Sequence, residues 1–279
     1  MSEIKVLEGL RYQELKPNVG ARILCSKQEL LSGSYAHAIR ELLEYRGVLV
    51  FPEVCFDDAE QIAFTKTLGT FAAERSSEGG VYKVTLDKSQ TASADYLKAA
   101  FYWHFDGYVN DVPIRASLLS CKVKSPTGGN TEFANTYAAY DALPEERKQQ
   151  IEKLRAVHSL AATQLYVEPQ PTADQFQTWK RVGRRTLPLV WEHQSGRKSL
   201  VIGCSIANIL EMDPMDGLEL AHWLRDWATQ EPFHYSHEWT VGDAVMWDNT
   251  GTLHRAMPYP LDSGRMMHRT KLEGEEPLA

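Results

Sequence analysis

The strongest constraint on the fold is the distance along the chain between three side chains that can share one metal ion. His104 and Asp106 are two residues apart, whereas His254 follows 150 residues later. In a β-strand, residues i and i+2 point to the same side, so His104 and Asp106 are expected to face one ion together. His254 must then come from a distant strand. The spacing therefore predicts a barrel or a sandwich of β-strands, in which strands remote in sequence lie side by side.

The types of these three residues indicate a particular kind of metal site. Two imidazoles and one carboxylate can occupy one face of an octahedral ion and leave the opposite face open, which is the usual site of a non-heme Fe(II) oxygenase. By itself the His-x-Asp pair is a weak signal, because the chain has nine histidines and 37 acidic residues. A histidine in a strand is more often a packed, hydrogen-bonded residue than a ligand. The interpretation therefore depends on the neighbouring sequence.

Four blocks of sequence occur around the three candidate ligands. They read WHFD at 103–106, GGNTEFAN at 128–135, GD and WDN within 242–249, and RMMHR at 265–269. In order and spacing they resemble the taurine dioxygenase (TauD/TfdA) family of Fe(II)- and 2-oxoglutarate-dependent dioxygenases. The blocks cover the chain from about residue 100 onwards, and residues 40–69 fit the family's N-terminal part more loosely.

The resemblance implies an oxidative reaction at iron. In that family, Fe(II) is bound by residues that match His104, Asp106 and His254, 2-oxoglutarate takes two further positions of the ion, and O2 takes the last. Conversion of 2-oxoglutarate to succinate and CO2 accompanies hydroxylation of an unactivated C–H bond of a small organic substrate, which is expected here to be an anion. Related halogenases lack the carboxylate ligand, so the presence of Asp106 predicts oxygenation rather than halogenation.

The resemblance also indicates how the co-substrate is anchored. Arg265 holds the family position of the arginine that binds the far carboxylate of 2-oxoglutarate, and Thr131 holds that of a hydroxyl partner. A guanidinium offers two parallel donors that match a carboxylate. The alternative is a surface arginine and an ordinary strand threonine. Arg269 is on the same face as Arg265 if both lie in one strand, and its expected role is open between the substrate anion and the co-substrate.

The identity of the substrate is constrained only in part. The taurine enzyme of the family uses a histidine and a tyrosine for the sulfonate, but the matching residues 71–78 read FAAERSSE, so taurine is not predicted. Tyr102, Trp103 and Trp247 flank the candidate ligands and indicate a substrate with an apolar body, although at least one of them is expected to be an ordinary core aromatic. Asp248 and Asn249 are expected to orient the site by hydrogen bonds.

Hydrophobic periodicity and turn residues predict many strands together with several helices. The chain has no repeating βαβ pattern, so we predict a mainly β fold with helical decorations (α+β), a double-stranded β-helix or jelly roll, which the resemblance also implies. Residues 1–279 are expected to form a single domain, with the polar stretch 161–186 as an inserted lid. The predicted helices are 35–46, 57–68, 135–143, 144–154 and 216–229, and the predicted strands are 48–51, 81–86, 114–123, 155–159, 199–203, 233–239 and 244–247.

Charge and cysteine content limit the partners. The net charge of −7 argues against a nucleic-acid-binding protein, and no apolar run is long enough to span a membrane or to act as a secretory signal. Four widely spaced cysteines without a Cys-x-x-Cys motif are expected to be reduced and mostly buried, as in a cytoplasmic protein. One basic cluster is either a solvated loop or part of a lid that attracts an anionic substrate, and it consists of Lys180, Arg181, Arg184 and Arg185.

Two other classes of function share part of this pattern. A non-catalytic jelly-roll protein that binds a metal or a small molecule would keep the ligands without turnover. A zinc hydrolase would use the same ligands without O2 and without an anchor such as Arg265. The complete set of three ligands and two arginines favours the dioxygenase, with Fe(II), 2-oxoglutarate, O2 and a small-molecule substrate as its partners. A homo-oligomer is expected only by analogy with the family.

Overall fold

The chain folds into short β-strands that alternate with helices. The computed structural model describes residues 3–73, 78–89, 91 and 94–278. The strands are β1 (Ile4–Leu7), β2 (Leu10–Glu14), β3 (Ala21–Ile23), β4 (Val48–Phe51), β5 (Tyr82–Val84), β6 (Ala116–Val123), β7 (Thr131–Asn135), β8 (Arg155–Ser159), β9 (Arg184–Pro188), β10 (Val190–Glu192), β11 (Lys198–Leu200), β12 (Ile206–Ile209), β13 (His234–His237), β14 (Ala244–Asp248), β15 (Thr252–Ala256) and β16 (Met266–Leu272). The helices are α1 (Lys27–Leu31), α2 (Ala36–Arg46), α3 (Asp58–Thr67), α4 (Ala94–Leu97), α5 (Thr136–Asp141), α6 (Glu145–Ile151), α7 (Leu160–Leu165), α8 (Ala173–Arg181) and α9 (Pro214–Ala228), with short 3-10 turns at Glu78–Gly80 and Lys98–Phe101.

Strands that are remote in sequence pair with one another. Within the described residues, the largest sheet has eight strands in the order β1-β2-β3-β4-β14-β6-β16-β5, and a three-stranded sheet has the order β13-β7-β15. Two further sheets have the orders β12-β8-β9 and β10-β11. The pairing of β4 with β14 and of β7 with β15 is antiparallel. These pairs confirm the expectation that distant strands lie side by side.

The side chains of β4 show that the centre of the eight-stranded sheet is buried on both faces. Val48 and Val50 belong to one apolar cluster, whereas Leu49 and Phe51 belong to another, and all four side chains are at most 2% exposed. Side chains alternate between the two faces of a strand, so a continuous apolar run fits a strand that is covered on both sides. β14 follows the same alternation between the two clusters.

Helices α2 and α3 cover one face of this sheet. α2 ends at Gly47, whose φ of 72° lies in the left-handed region that favours glycine. α3 begins after Asp57, whose side chain accepts from the amide of Glu60 while the Glu60 side chain bonds back to the amide of Asp57. The face of α2 that packs on the sheet has the spacing of an amphipathic helix and consists of Ala38, Ile39, Leu42 and Leu43.

The three-stranded sheet β13-β7-β15 covers the other face. Phe133 of β7 packs in the same cluster as Val50, Val245 and Met267 of the larger sheet, so the two sheets face each other. Ala134, the next residue of β7, points the other way into the cluster that contains the buried face of α9. The space between the two facing sheets is where the candidate site lies.

Most of the predicted elements agree with the structure. The predicted helices 35–46, 57–68 and 216–229 are α2, α3 and α9, and Asp57 is the N-cap of α3. The stretch 161–186 is more ordered than a polar loop, because it contains α8 and most of α7, and its last residues begin β9, which pairs with β8. α8 has no buried residue. It is therefore no part of the core, and the lid remains a prediction.

The cysteines agree only in part with expectation. All four are free thiols, but only Cys121 and Cys204 are buried, whereas Cys25 is half-buried and Cys55 is exposed. Most of the four were expected to be buried, but only two of them are. In the part of the chain that the structure describes, no helix is both long and apolar enough to cross a membrane.

Candidate metal centre and its cavity

A pair of backbone hydrogen bonds holds the two candidate histidine ligands side by side. The amide of His104 donates to the carbonyl oxygen of His254 at 3.1 Å, and the amide of His254 donates to that of His104 at 2.8 Å. This antiparallel bridge joins β15 to a segment outside the named strands. His254 thus comes from a distant strand, as predicted. His104 and Asp106 do not lie in a regular strand, because the chain turns at Gly107, whose φ is 89°.

Asp106 completes a group of three ligand atoms. Its Oδ1 lies 3.8 Å from Nε2 of His104, and its Oδ2 lies 4.0 Å from Nε2 of His254. The three ligand atoms all lie within 4.8 Å of one another. Bonds from a metal to nitrogen or oxygen ligands are about 2 Å long, so these separations leave room for one ion between the three atoms. The residues selected from the sequence are therefore brought together.

Hydrogen bonding shows which nitrogen of His104 can bind a metal. Nδ1 of His104 lies 2.8 Å from the carbonyl oxygen of Tyr102. A carbonyl oxygen only accepts, so Nδ1 carries the hydrogen and Nε2 presents its lone pair to the other two ligand atoms. Two imidazole nitrogens and one carboxylate form a donor set that suits Fe(II) and leaves positions open. The residues present therefore fit the ion that the resemblance implies.

The ring of His254 is held by packing rather than by a hydrogen bond within the described residues. Its Nδ1 is buried and has no hydrogen-bond partner there. The ring of Trp247 lies against it, with 4.7 Å between the ring centroids. The indole N–H of Trp247 donates to Oδ1 of Asn249 at 2.9 Å, and Nδ2 of Asn249 donates to Oγ of Ser117 at 3.1 Å. The role predicted for Asn249 in orienting the site is consistent with this chain of bonds.

Asp248 acts in a different place from Asn249. Its carboxylate is fully buried and pairs with Nη1 of Arg115 at 2.9 Å. It also accepts from the amide of Thr250 at 2.8 Å and from the Thr250 hydroxyl at 2.6 Å. These bonds fix the turn that joins β14 to β15 and hence the position of His254 relative to Trp247.

Electrostatics keep Asp106 and His254 in the form that binds a cation. Burial by itself would raise the pKa of Asp106, but the guanidinium of Arg269 and then the rings of His254 and His104 lower that pKa to about 2. Nη1 of Arg269 donates to Oδ2 of Asp106 at 3.0 Å. Burial, followed by the neighbouring His104, lowers the pKa of His254 well below its usual value. Asp106 is therefore ionised and His254 neutral at neutral pH, as metal ligands must be.

The three ligands line a cavity of about 310 Å³ between the two facing sheets. This volume suits a small organic molecule rather than a macromolecule. The larger sheet contributes Tyr82, Val84, Leu119, Trp247 and Arg269, and the smaller sheet contributes Thr131, His254 and Ala256. Most of the remaining lining is apolar or aromatic and includes Tyr96, Leu97, Ala99, Ala100, Phe105, Tyr108, Val109, Leu160 and Val182.

Arg265 brings a buried positive charge to this cavity. Its side chain is 3% exposed, its Nη2 donates to the carbonyl oxygen of Gly129 at 3.2 Å, and its guanidinium lies 4.7 Å from the ring centroid of Tyr259. Burial lowers its pKa, and no carboxylate of the described residues lies close enough to offset this. Gly129 allows the close approach, because a Cβ there would lie 3.1 Å from Nε of Arg265.

Thr131 and Arg269 complete the polar part of the cavity. Oγ1 of Thr131 accepts from the indole N–H of Trp239 at 3.0 Å, so its own hydrogen can be donated to a ligand. Arg269 lies over the ring of Tyr82 at 5.2 Å. Arg265 precedes β16, and the register shifts at the start of this strand. The even-offset argument for a shared face therefore does not apply, but both arginines line the cavity.

The cavity also contains residues that the sequence did not single out. Tyr82, Tyr96 and Tyr108 line it, but they lie outside the four motif blocks. Of the aromatic residues that flank the ligands in sequence, Trp103 packs in an apolar cluster and Tyr102 lies outside the cavity lining. The expectation that at least one of them is an ordinary core aromatic agrees with this placement.

The basic cluster at 180–185 lies at the edge of the cavity. Val182, within this stretch, is one of the lining residues. Arg185 forms an ion pair with Asp111 at 2.8 Å and donates to the carbonyl oxygen of Val109, another lining residue, at 3.4 Å. Residues 74–77, in the segment that lacks the sulfonate-binding pair of the taurine enzyme, lie outside the described residues.

Comparison with known proteins gives the same family as the motifs. The family model described as "Taurine catabolism dioxygenase TauD, TfdA family" matches residues 11–271. The (S)-phenoxypropionate/alpha-ketoglutarate-dioxygenase of Sphingobium herbicidovorans is 34% identical over 245 residues, which cover 84% of this chain and 84% of that protein. The alpha-ketoglutarate-dependent 2,4-dichlorophenoxyacetate dioxygenase of Cupriavidus pinatubonensis is 32% identical over 271 residues, which cover 87% of this chain and 90% of that protein.

A solved structure supports the fold and the cofactors. The crystal structure of AAD-2 in complex with Mn(II) and N-oxalylglycine matches with a TM-score of 0.81 at 30% identity, covering 97% of this chain and 99% of that chain. The predicted jelly roll with helical decorations is confirmed by this match. The dependence on Fe(II) and 2-oxoglutarate is confirmed as well. The chain belongs to the TauD/TfdA family, and it is an Fe(II)- and 2-oxoglutarate-dependent dioxygenase.

Proposed function

We propose that this dioxygenase oxidises an aryloxyalkanoate, a small carboxylate with an aryl ether body, in the cavity beside the three ligands. The observation that carries the proposal is the cavity of about 310 Å³, which has aromatic walls and contains both the candidate metal ligands and two arginines. Two relatives at 34% and 32% identity are dioxygenases of phenoxypropionate and 2,4-dichlorophenoxyacetate. Both of these compounds combine an aromatic ring with a carboxylate.

In this proposal His104, Asp106 and His254 bind Fe(II) through two imidazole nitrogens and one carboxylate. When bound, the iron supplies the electrons that activate O2 for the oxidation of a C–H bond. Three protein ligands leave positions open for the co-substrate and O2. Arg269 keeps Asp106 ionised, and the bond from His104 to the Tyr102 carbonyl keeps Nε2 available. The protein therefore presents an ionised Asp106 and the Nε2 lone pair of His104 before the metal arrives.

Arg265 and Thr131 are the proposed anchor for the far carboxylate of 2-oxoglutarate. A buried guanidinium without a carboxylate partner is unfavourable unless a bound anion pairs with it. The parallel N–H donors of Arg265 match a carboxylate, and the hydroxyl of Thr131 can add a third donor. Fixing one end of the co-substrate orients the other end for reaction.

Arg269 is the proposed partner of the substrate carboxylate. It is half-buried on the cavity wall, with Nη1 at 3.0 Å from Asp106, so an anion bound to it would lie beside the metal ligands. The aromatic rings of Tyr82, Phe105 and Tyr108 line the same space and would pack against the aryl group of the substrate. Such packing would also exclude water from the reacting centre.

A panel of substrates tests this proposal. Purified protein with Fe(II), 2-oxoglutarate and O2 is offered both enantiomers of 2-phenoxypropionate, 2,4-dichlorophenoxyacetate, taurine and a linear alkyl sulfate. Hydroxylation of the carbon beside the ether oxygen gives a hemiketal or hemiacetal that expels a phenol, so phenol and succinate should form in equal amounts. Turnover of taurine or the alkyl sulfate, with no phenol from any aryloxyalkanoate, would contradict the proposal.

Three expectations about the whole protein remain predictions. They are a single domain with a lid at 161–186, a homo-oligomer, and a location in the cytoplasm. The lid is supported by the position of Val182 on the cavity wall and by the absence of buried residues in α8. Substrate protection of α8 in hydrogen exchange would support the lid, and unchanged exchange of α8 in the presence of substrate would contradict it.

A further inference from the structure

Positive charge is concentrated at one edge of the cavity. We use the name basic rim for the exposed side chains of Lys180, Arg181 and Arg184. Lys180 and Arg181 are in the last turn of α8, and Arg184 is the first residue of β9. Val182 lies between them in sequence and lines the cavity. The segment that carries the basic rim therefore contributes Val182 to the cavity wall.

The segment that carries the basic rim is tied to a neighbouring part of the wall. Arg185 pairs with Asp111 at 2.8 Å and donates to the carbonyl oxygen of Val109 at 3.4 Å. Val109 is itself a lining residue. β9 also pairs with β8 along its whole length. These contacts fix the segment that carries the basic rim next to the cavity.

The basic rim opposes the overall charge of the protein. The chain has a net charge of −7, whereas the three rim side chains have no ion-pair partner among residues 3–73, 78–89, 91 and 94–278. The guanidiniums of Arg265 and Arg269 also line the cavity. Arg269 pairs there with Asp106, which is the one carboxylate among the three candidate metal ligands. Positive charge therefore continues from the rim into the cavity.

We propose that the basic rim steers the anionic co-substrate and substrate into the cavity and thereby sets their rate of association. This inference rests on the proposed function, because it takes the cavity as the binding site of 2-oxoglutarate. A cleft lined by one sign of charge raises the association rate of ligands of the opposite sign by about 10- to 1000-fold. The rim acts at a distance, so its side chains do not touch the bound ligand.

A structural role for the same residues makes a different prediction. Cations in the last turn of a helix interact favourably with the helix dipole, and Lys180 and Arg181 occupy that position in α8. If this were their only effect, removing them would lower the stability of the protein but leave the rate of ligand association and its salt dependence unchanged. The two roles are therefore separated by kinetics.

The measurement is the association of N-oxalylglycine with the Mn(II)-loaded protein. N-oxalylglycine carries two carboxylates, as 2-oxoglutarate does, and Mn(II) avoids turnover with O2. Stopped-flow tryptophan fluorescence follows binding, because Trp247 lines the cavity. Association and dissociation rates are recorded from low to high salt, and thermal unfolding is recorded for every variant.

Three variants are compared with the wild type. The rim variant is Lys180→Gln/Arg181→Gln/Arg184→Gln. A matched control, Arg11→Gln/Arg22→Gln/Lys153→Gln, removes the same charge from exposed positions that do not line the cavity. The third variant, Gln177→Lys, adds one charge to the exposed surface of α8. Gln177 precedes Lys180 by three residues and Arg181 by four, so it lies on the same helix face.

We expect the rim variant to associate about tenfold more slowly than the wild type at low salt and to lose most of the salt dependence. The control variant should behave as the wild type, Gln177→Lys should associate faster, and dissociation rates should not change. Equal association rates in the rim and control variants would overturn the proposal. A change confined to the dissociation rate would also overturn it, because the rim would then contact the ligand directly. A wild type that does not bind N-oxalylglycine would contradict the proposed function itself. Failure of the aryloxyalkanoate panel alone would leave the association rates of N-oxalylglycine, and hence the test of the basic rim, unaffected.

Discussion

At the scale of single residues, Arg269 connects the metal ligands to the rest of the cavity wall. It pairs with Asp106 at 3.0 Å and lines the cavity. From the sequence, its role was open between the substrate and the co-substrate. The buried cation without a carboxylate partner among the described residues is Arg265, which supports Arg265 as the co-substrate anchor and leaves Arg269 for the substrate.

Replacing Arg269 by glutamine is expected to raise the KM for the substrate and to leave the KM for the co-substrate nearly unchanged. A hydrogen bond to a charged group contributes roughly 1.5–3 kcal/mol, which corresponds to about a 10- to 150-fold loss in kcat/KM for the substrate. Arg269→Lys keeps the charge but not the parallel donors, so it should restore only part of this loss. Steady-state kinetics with substrate and 2-oxoglutarate varied in turn makes the distinction. A rise confined to the KM for the co-substrate would assign Arg269 to 2-oxoglutarate instead.

Asn249 is expected to position His254 through Trp247. In Asn249→Ala the indole N–H of Trp247 is left buried without its acceptor, which should destabilise the fold by about 1–3 kcal/mol. The looser Trp247 ring should also weaken Fe(II) binding by about tenfold. Ser117→Ala removes only the far bond of the chain and should have a smaller effect on both. Urea unfolding and anaerobic Fe(II) titration measure the two effects, and unchanged Fe(II) affinity in Asn249→Ala would exclude the positioning role.

The polar residues of the site could be selected from the sequence, whereas part of its apolar wall could not. His104, Asp106 and His254 are marked by residue type and motif, and Arg265 and Thr131 by their place in the family pattern. The tyrosines at 82, 96 and 108 are not marked in this way, because they lie in a three-residue strand, a four-residue helix and an irregular segment, which are too short or too irregular to give a periodic signal. Which of them face the cavity depends on how the two sheets meet.

At the scale of elements, the turn between β14 and β15 organises the site. It reverses the chain between Trp247 and His254, so that the two rings lie 4.7 Å apart. Gly251 is required for the close packing of this turn, because a Cβ at that position would lie 1.8 Å from Cε2 of Tyr137. The ion pair of Arg115 and Asp248 holds the start of the turn against the strand segment that leads into β6.

Removing one partner of the ion pair between Arg115 and Asp248 is expected to destabilise the fold strongly. In Arg115→Met the carboxylate of Asp248 remains buried without its guanidinium, which should lower the free energy of unfolding by about 3–5 kcal/mol. The double variant Arg115→Met/Asp248→Asn removes the uncompensated charge and should be more stable than Arg115→Met alone. Urea denaturation of the wild type, both single variants and the double variant gives the coupling energy. A double variant less stable than both single variants would contradict the expected coupling.

Helices and strands were predicted best where burial follows a regular period. The face of α2 and the continuous apolar run of β4 match their patterns, because one packs on a single face and the other is covered on both faces. The stretch 161–186 was predicted as a polar lid, but it contains α8 and the start of β9. α8 buries none of its side chains, so its helix was not visible as a stripe of core residues.

At the scale of the whole molecule, stability is expected to fall in mild acid because of His158. Burial lowers the pKa of His158 to about 3, whereas a histidine in the unfolded chain has a pKa of about 6.5. Between these values the unfolded chain binds one proton more than the native chain. The contribution of the neutral, buried His158 ring to the free energy of unfolding is therefore complete above about pH 6.5. It is lost progressively as the pH falls towards about 3.

A variant without this histidine isolates its effect. Nδ1 of His158 lies 2.8 Å from Oγ of Ser205, and His158→Asn places an amide near the same partner without a titrating ring. Between pH 7.5 and 5.5 the wild type should lose about 1.4 kcal/mol more of its free energy of unfolding than the variant. Urea denaturation at the two pH values measures this difference. Equal losses in the two proteins would show that His158 does not contribute to acid sensitivity.

The most direct test of the metal assignment is succinate formation from 2-oxoglutarate with Fe(II), ascorbate and O2, in the wild type and in His104→Ala. We expect slow 2-oxoglutarate turnover by the wild type even without a substrate, because the co-substrate and O2 can react when the substrate space is empty. His104→Ala should form no succinate while keeping the circular dichroism spectrum of the wild type. Succinate at the wild-type rate from His104→Ala would contradict the role of His104 as a metal ligand. A wild type that neither forms succinate nor binds 2-oxoglutarate in the presence of Fe(II) would contradict the assignment of the centre as a whole.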